Sequence, residues 1–268
     1  MFGSPVYGTT LDVMVKKIQT DLRVADCTRL SDSTLLLSLE SDDILPDISA
    51  GQFAQLTAPG IFLRHPFSIH DVDMENGRLF FLVQIVGPAT RALADLHPGE
   101  RVNALLPLGN GFDLSDLSGR SLLVGGGVGI APLLLLGRNL NNQNADFAFL
   151  FGGRTENQLQ RIGEFTKYGP VHLSTQDGSA GETGLVTENS ILGKETFDRI
   201  FCCGPTPMMK AVAAYAASHD IPCQVSLEHG MACGIGACLC CVEDTVDGNV
   251  CVCREGPVFD TKKLKWQI

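Results

Sequence analysis

The sequence predicts a small β-barrel, then a parallel-sheet α/β domain, then a short cysteine-rich module, all within 268 residues. Three observations carry that order. Short apolar runs broken by Gly, Pro, Asp and Asn fill the first part. From Ser118–Gly119 onward, apolar strands alternate with helical segments. From about Pro222 the helical periodicity is lost, and six of the ten cysteines crowd into one stretch. The expected boundaries are 1–115, 116–221 and 222–268.

Composition supports a folded chain and narrows its partners. Hydrophobic residues make up 44% and charged residues 19%, enough to bury a substantial core. A net charge of -10 and a pI near 5.0 repel phosphate backbones and anionic lipid, so neither nucleic acid nor membrane is an expected partner. The longest uncharged stretch, Ser121 to Gly137, is interrupted by glycines and Pro132, and fits a buried strand, a turn and a helix start better than a membrane span. Met1–Thr10 has neither a basic region nor an apolar run, so no secretion signal is expected and the chain reads as cytoplasmic.

The barrel strands are expected at Thr34–Leu39, Gln52–Thr57, Phe67–Ile69, Leu79–Val86 and Arg101–Leu106, with one short helix at Ala89–Leu96. Within them, Arg64-His65-Pro66-Phe67-Ser68 sets an arginine fork, suited to a pyrophosphate, beside a hydroxyl suited to a flavin ring. Most strand arginines are surface residues, and His65 has no strong signal of its own. Pro88-Ala89-Thr90 opens the short helix, where free N–H groups could meet a phosphate or where a plain cap could sit.

The α/β strands are expected at Leu122–Val124, Phe147–Phe151, Val171–Ser174 and Ile200–Cys203, with helices from about Pro132 and over Thr206–Ser218. The first strand runs into Gly125-Gly126-Gly127-Val128-Gly129-Ile130-Ala131-Pro132. Glycines let a backbone approach a pyrophosphate, and a helix start favours its charge. Ile130 breaks the G-x-G-x-x-G fingerprint, so the turn alone is weak evidence. A second strand end, Cys203-Gly204-Pro205, strengthens it by lying at the same sheet edge.

The cysteines give the sharpest signal. Cys233-x4-Cys238-x2-Cys241 with a distant fourth cysteine matches plant-type [2Fe-2S] spacing. Zinc is the alternative, but Cys251-x-Cys253 makes a poor zinc knuckle. Spacing leaves the choice between Cys251 and Cys253 open, and Cys240 is expected to pack without ligating.

Taken in order, these segments resemble the ferredoxin reductase superfamily and, within it, the iron–sulfur electron-transfer subunits of NAD-linked (B-type) dihydroorotate dehydrogenases. Besides Arg64–Ser68, Gly125–Pro132 and Cys203-Gly204-Pro205, the resemblance rests on Thr175-Gln176-Asp177-Gly178-Ser179 and Ser226–Cys238, closed by Val252–Phe259. It implies FAD in the barrel, NAD(H) on the α/β domain and a [2Fe-2S] cluster on Cys233, Cys238, Cys241 and Cys253. It places FAD contacts at Arg64 to Phe67, at Leu82, Val83 and Gln84, and at Ala89 and Thr90. Gln84 stands where many members carry arginine, and Ala89 where many carry glycine. Asp177, in place of a basic or hydroxyl residue, implies NADH over NADPH. The implied partner is an FMN-containing catalytic subunit that oxidises dihydroorotate in pyrimidine synthesis, joined in a hetero-oligomer. Three rivals are the small subunit of a ferredoxin–NADP transhydrogenase or sulfide dehydrogenase, a self-contained reductase feeding an oxygenase, whose ferredoxin domain is usually longer than this tail, and a non-enzymatic zinc-binding or redox-sensing module.

Overall fold

The computed structural model describes residues 17–267, so the Met1–Thr10 segment lies outside the described residues. Seven strands form the first sheet: β1 (Ile18–Ser31), β2 (Thr34–Glu40), β3 (Phe53–Leu56), β4 (His65–Ser68), β5 (Asp71–Asp73), β6 (Arg78–Gln84) and β7 (Arg101–Leu108). Helix α1 (Pro88–Ala94) bridges the last two. Their order is β4-β3-β7-β1-β2-β6-β5. Flat, that sheet would hold its edges about 29 Å apart, at roughly 4.8 Å per strand step. Only Ile69 and His70 separate the edge strands β4 and β5 in the chain, a link of about 10 Å at most. The sheet therefore curls onto itself as a half-barrel, around Leu22, Val24, Leu37, Leu56, Leu79 and Phe81, all fully buried.

Two of these strands go beyond the five the sequence predicts. Only Leu22 and Val24 of the fourteen residues in β1 are fully buried, so it lacks an apolar run. β5 is three residues long.

The second sheet is built from β8 (Arg120–Gly126), β9 (Asp146–Gly153), β10 (Val171–Thr175), β11 (Glu182–Thr183), β12 (Arg199–Cys203) and β13 (Cys223–Ser226), all parallel. Helices α2 (Leu133–Asn142), α3 (Ile162–Phe165), α4 (Ile191–Lys194) and α5 (Thr206–Ser218) accompany them. The helix expected from Pro132 begins at Leu133, because a single 3-10 turn over Gly127–Ile130 comes first.

The tail contains a hairpin, β14 (Val242–Thr245) with β15 (Gly248–Cys251), one helical turn α6 (Val252–Glu255) and β16 (Val258–Asp260). β16 pairs antiparallel with β13 and ends the second sheet. Asn110, just past β7, donates its side-chain amide to the Arg254 and Glu255 carbonyls at 3.1 and 3.0 Å. The cysteine module is thus pinned to the half-barrel and the parallel sheet together.

His70 ties the same two parts at another seam. It is 0% exposed, and its Nδ1 lies 2.7 Å from the Ala131 carbonyl. That oxygen can only accept, so Nδ1 carries the proton and the ring is neutral. Nε2 has no partner. Burial holds the ring pKa down to about 4, and nearby Arg161 adds to that. The unfolded chain takes up this proton near pH 6.5, so folding stability should fall as pH drops from 6.5 towards 4, by at most about 1.4 kcal/mol per unit from this group. His70→Asn keeps an N–H for Ala131 and removes the titration. Urea unfolding at pH 7.5 and 5 should show a shallower pH dependence in the variant; equal slopes would refute the assignment.

Candidate functional site

The parallel sheet runs β11-β10-β9-β8-β12-β13-β16. The chain starts at β8, winds outward through β9 and β10, then returns to the other side of β8 at β12. The carboxyl ends of β8 and β12 therefore flank a topological switch point, where ligands of such sheets bind. Both glycine-rich turns lie there. A Cβ on Gly129 would sit 2.5 Å from the Gly204 Cα and 2.6 Å from the Cys203 carbonyl oxygen, so the two turns touch backbone to backbone. Gly125 is closed in by Ile130, Phe151 and Leu133. Gly127, at φ +53°, makes the turn itself. Burial pushes the Cys203 thiol well up, so it stays protonated and its part is structural.

In front of these turns lies a cleft of about 530 Å³. Gly126, Gly127, Val128, Pro205 and Met208 form one wall, Arg154 and Gln176 another, and Ser33, Thr34 and Gln84 of the half-barrel face them. Glu228 also lines it. Its side chain is exposed to the cleft, and partial desolvation there raises its pKa. No periodicity or spacing singles out Glu228, Arg154 or Gln176, which converge only in three dimensions. Asp177 is not in the lining: its carboxylate accepts from the Ser179 N–H and hydroxyl at 3.0 and 2.6 Å.

On the half-barrel, Arg64 is half-buried just before β4. Its Nη2 donates to Asn103 Oδ1 at 2.5 Å, while its Nε is buried without a partner. An orphaned guanidinium N–H fits an absent anionic ligand such as the FAD pyrophosphate. His65 Nδ1 lies 3.1 Å from the Leu63 carbonyl, a local bond only. Pro66 and Ser68 pair with Gln55 and Phe53 of β3 and share their face, whereas Phe67 packs against the barrel interior. Leu82 and Val83 are both buried, on opposite faces of β6, with Val83 on the face of Leu79 and Phe81. Ala89 is buried too. The Thr90 hydroxyl accepts from Val86 N and Gly87 N at 2.9 and 3.0 Å, a helix cap with nothing to spare for a phosphate.

The cysteine loop sorts its thiols into two pairs. Cys233 and Cys238 lie side by side, as do Cys241 and Cys253. Peptide N–H groups of Ile235, Ala237 and Cys238 point at Cys233 Sγ (3.5, 3.3 and 3.4 Å), Gly236 N at Cys253 Sγ (3.0 Å) and Cys253 N at Cys241 Sγ (3.4 Å). Burial alone would raise the Cys233 thiol, but these donors and Cys238 outweigh it and hold its pKa down. Burial and Cys241 push Cys253 up. Gly234 and Gly236, at φ +71° and +82°, supply the left-handed backbone the loop needs. Among the described residues no three His, Cys, Asp or Glu side chains converge on a single ion. A two-iron cluster asks for thiolates in pairs, two per iron, and for N–H groups around the sulfurs. The residues present fit it.

A half-barrel with an orphaned arginine, a switch-point cleft and a paired-thiol loop define an electron-transfer protein of the ferredoxin-reductase class. Among solved structures, the NADH-dependent reduced ferredoxin-NADP oxidoreductase superposes with a TM-score of 0.83 at 27% identity, over 91% of this chain and 90% of that one. Phthalate dioxygenase reductase shares the fold, with a TM-score of 0.62 at 20% identity over 74% of this chain and 64% of that one. Residues 123–214 match the oxidoreductase NAD-binding domain, and residues 228–265 match the iron-sulfur cluster binding domain of dihydroorotate dehydrogenase B. The electron transfer subunit of dihydroorotate dehydrogenase B (NAD(+)) from Clostridium acetobutylicum is 37% identical, over 91% of this chain and 96% of its own. Its counterpart from Clostridium perfringens is 38% identical, over 82% of this chain and 88% of its own. The chain belongs to the family of dihydroorotate dehydrogenase B electron transfer subunits.

Proposed function

We propose that this chain carries electrons between NAD(H) and the FMN-containing catalytic subunit of a dihydroorotate dehydrogenase. The single observation that supports this best is the paired-thiol loop set against the half-barrel, in a family named for that electron transfer. When bound, FAD would accept hydride from NADH and a [2Fe-2S] cluster would carry single electrons.

The chain's residues hold and orient these groups. Arg64, with its unpaired Nε, would hold the flavin pyrophosphate, and the Pro66–Ser68 segment would contact the flavin, with Gln84 at the shared cleft. The touching turns at Gly125–Gly129 and Cys203–Pro205 form the floor for the nicotinamide nucleotide. Asp177, next to the lining residue Gln176, would favour NADH over NADPH through its negative charge, although Arg154 in the lining would tolerate more negative charge. Glu228 holds a proton at the cleft to higher pH than a surface glutamate would. Cys233, Cys238, Cys241 and Cys253 would hold the two irons. The division of labour follows the chain, with FAD on 1–115, NAD(H) on 116–221 and the cluster on 222–268.

Beside the cysteine loop, Ile235 and Leu239 are 49% and 66% exposed. An apolar rim around the electron exit fits a protein partner that covers it, and so a stable hetero-oligomer. Among the described residues no helix is long and apolar enough to cross a membrane; a cytoplasmic site of action is part of the proposal. The structural overlap with the ferredoxin-NADP enzyme keeps one rival alive, yet such relatives often carry aspartate where this chain has Cys233.

The test is anaerobic co-expression with the FMN-type dihydroorotate dehydrogenase subunit of the same genome, following NAD⁺ reduction by dihydroorotate. Activity that needs both chains supports the reading. An inactive complex replete with FAD, FMN and iron would sink it and favour the transhydrogenase-like relatives.

A further inference from the structure

Gln55 is out of place in the half-barrel. It sits on β3, it is 1% exposed, and among the described residues neither its Nε2 nor its Oε1 has a hydrogen-bond partner. Burying a primary amide unpaired costs several kcal/mol by transfer scales, about 1–3 kcal/mol in proteins. Gln52, three residues earlier, shows the contrast. Its Nε2 donates to the Gly109 carbonyl at 2.9 Å and its Oε1 accepts from Ser49 N at 2.8 Å.

Strand alternation shows where Gln55 looks. Ala54 and Leu56 point into the barrel interior. Phe53, on the same face as Gln55, packs in a second core that includes Leu108, Cys241, Val252 and Cys253. Pro66, opposite Gln55 on β4, shares that face. Over it lies the cysteine loop: a Cβ on Gly234 would meet Gln55 Cγ at 2.9 Å and Nε2 at 3.3 Å. The amide is thus wedged between the strand edge expected to hold flavin and the loop residue that follows Cys233.

We propose that Gln55 is a positioning residue for the iron–sulfur loop, its amide N–H directed to the sulfur side of the Cys233 end and raising the cluster's reduction potential. An N–H···S bond stabilises the more negative, reduced cluster, so it moves the potential up. Cluster sulfurs accept such bonds well, and the loop already directs five peptide N–H groups at its thiols. The amide would add a donor from outside the loop and link the cluster to the strand that borders the flavin.

This inference rests on the reading that the loop holds a [2Fe-2S] cluster, and one experiment separates the two. The holoprotein and its Gln55→Leu and Gln55→Met variants, both lacking a donor and close to glutamine in size, are titrated potentiometrically, with EPR for the cluster and absorbance for the flavin. The expected result is a full iron complement, a cluster potential shifted negative in either variant, and an unchanged flavin potential. A wild-type protein without a [2Fe-2S] EPR signal would overturn both readings. A normal wild-type signal with unmoved cluster potentials in the variants would overturn the Gln55 role alone. So would a shift of the flavin potential only, or loss of iron from both variants with the fold intact, which would make Gln55 a scaffold.

Discussion

Replacing Cys253 with serine is expected to strip the cluster, while Cys251→Ser leaves it in place. Spacing alone cannot choose between these cysteines, but their surroundings can. Cys253 is fully buried beside Cys241 and receives the Gly236 N–H at 3.0 Å. Its own N–H points at Cys241 Sγ at 3.4 Å, so the two sulfurs lie together as a pair that could serve one iron. Cys251 belongs to the hairpin, paired with Val242, and its only hydrogen bond from sulfur is a long 3.9 Å contact to the Gly236 carbonyl. Serine oxygen is a hard donor and replaces a thiolate poorly at iron. Cys253→Ser should therefore show little iron per FAD and lose nearly all dihydroorotate-dependent NAD⁺ reduction with the partner present. NADH oxidation by an artificial acceptor, which needs only the flavin, should stay within about twofold of wild type. Cys251→Ser should match wild type in both assays. The reverse pattern would move the fourth ligand to Cys251.

The sequence makes much of this legible because chemistry that depends on spacing is local. Three of the thiols lie within nine residues, and the glycine turn follows its strand directly. Four of the six parallel strands, β8, β9, β10 and β12, carry short apolar runs that the sequence marks, whereas β11 (Glu-Thr) and β13 do not and go unpredicted. What stays hidden is set by contacts between distant segments. β1 is half solvated, with charges along most of its length, and has no apolar signature. β16 is three residues long and gains its place only by pairing with β13. Gln55 is one polar letter in an apolar strand, indistinguishable in sequence from a surface glutamine. Glu228 looks like a residue at the head of the cysteine stretch and becomes a cleft carboxyl only through the folding of both sheets around the same cleft. The resemblance implies FAD contacts at named residues, but it cannot say that the Thr90 hydroxyl is used up capping its own helix.

Gly129→Ala is expected to weaken nicotinamide nucleotide binding without touching the other two cofactors. The added Cβ would overlap the Gly204 Cα, the Cys203 carbonyl and the Gly204 N, all backbone atoms at 2.5 to 2.7 Å. No rotamer change relieves a backbone clash, so the two turns that floor the cleft must part. Overpacking of this kind costs about 1–3 kcal/mol. Some of that cost falls on the folded state as a whole and lowers stability. The part that distorts the floor falls on nucleotide binding, where 1–3 kcal/mol amounts to about 5- to 150-fold in affinity. The expected signature is a raised KM for NADH, with iron and FAD content unchanged, because Arg64 and the cysteine loop lie outside this contact. Gly193→Ala is the control. A Cβ there meets nothing within 4 Å, and the residue lies in α4, where alanine is the better helix former. It should leave KM alone and keep or slightly raise stability. An unchanged KM in Gly129→Ala would mean that the two turns can separate without harm, and that the nucleotide rests elsewhere in the cleft.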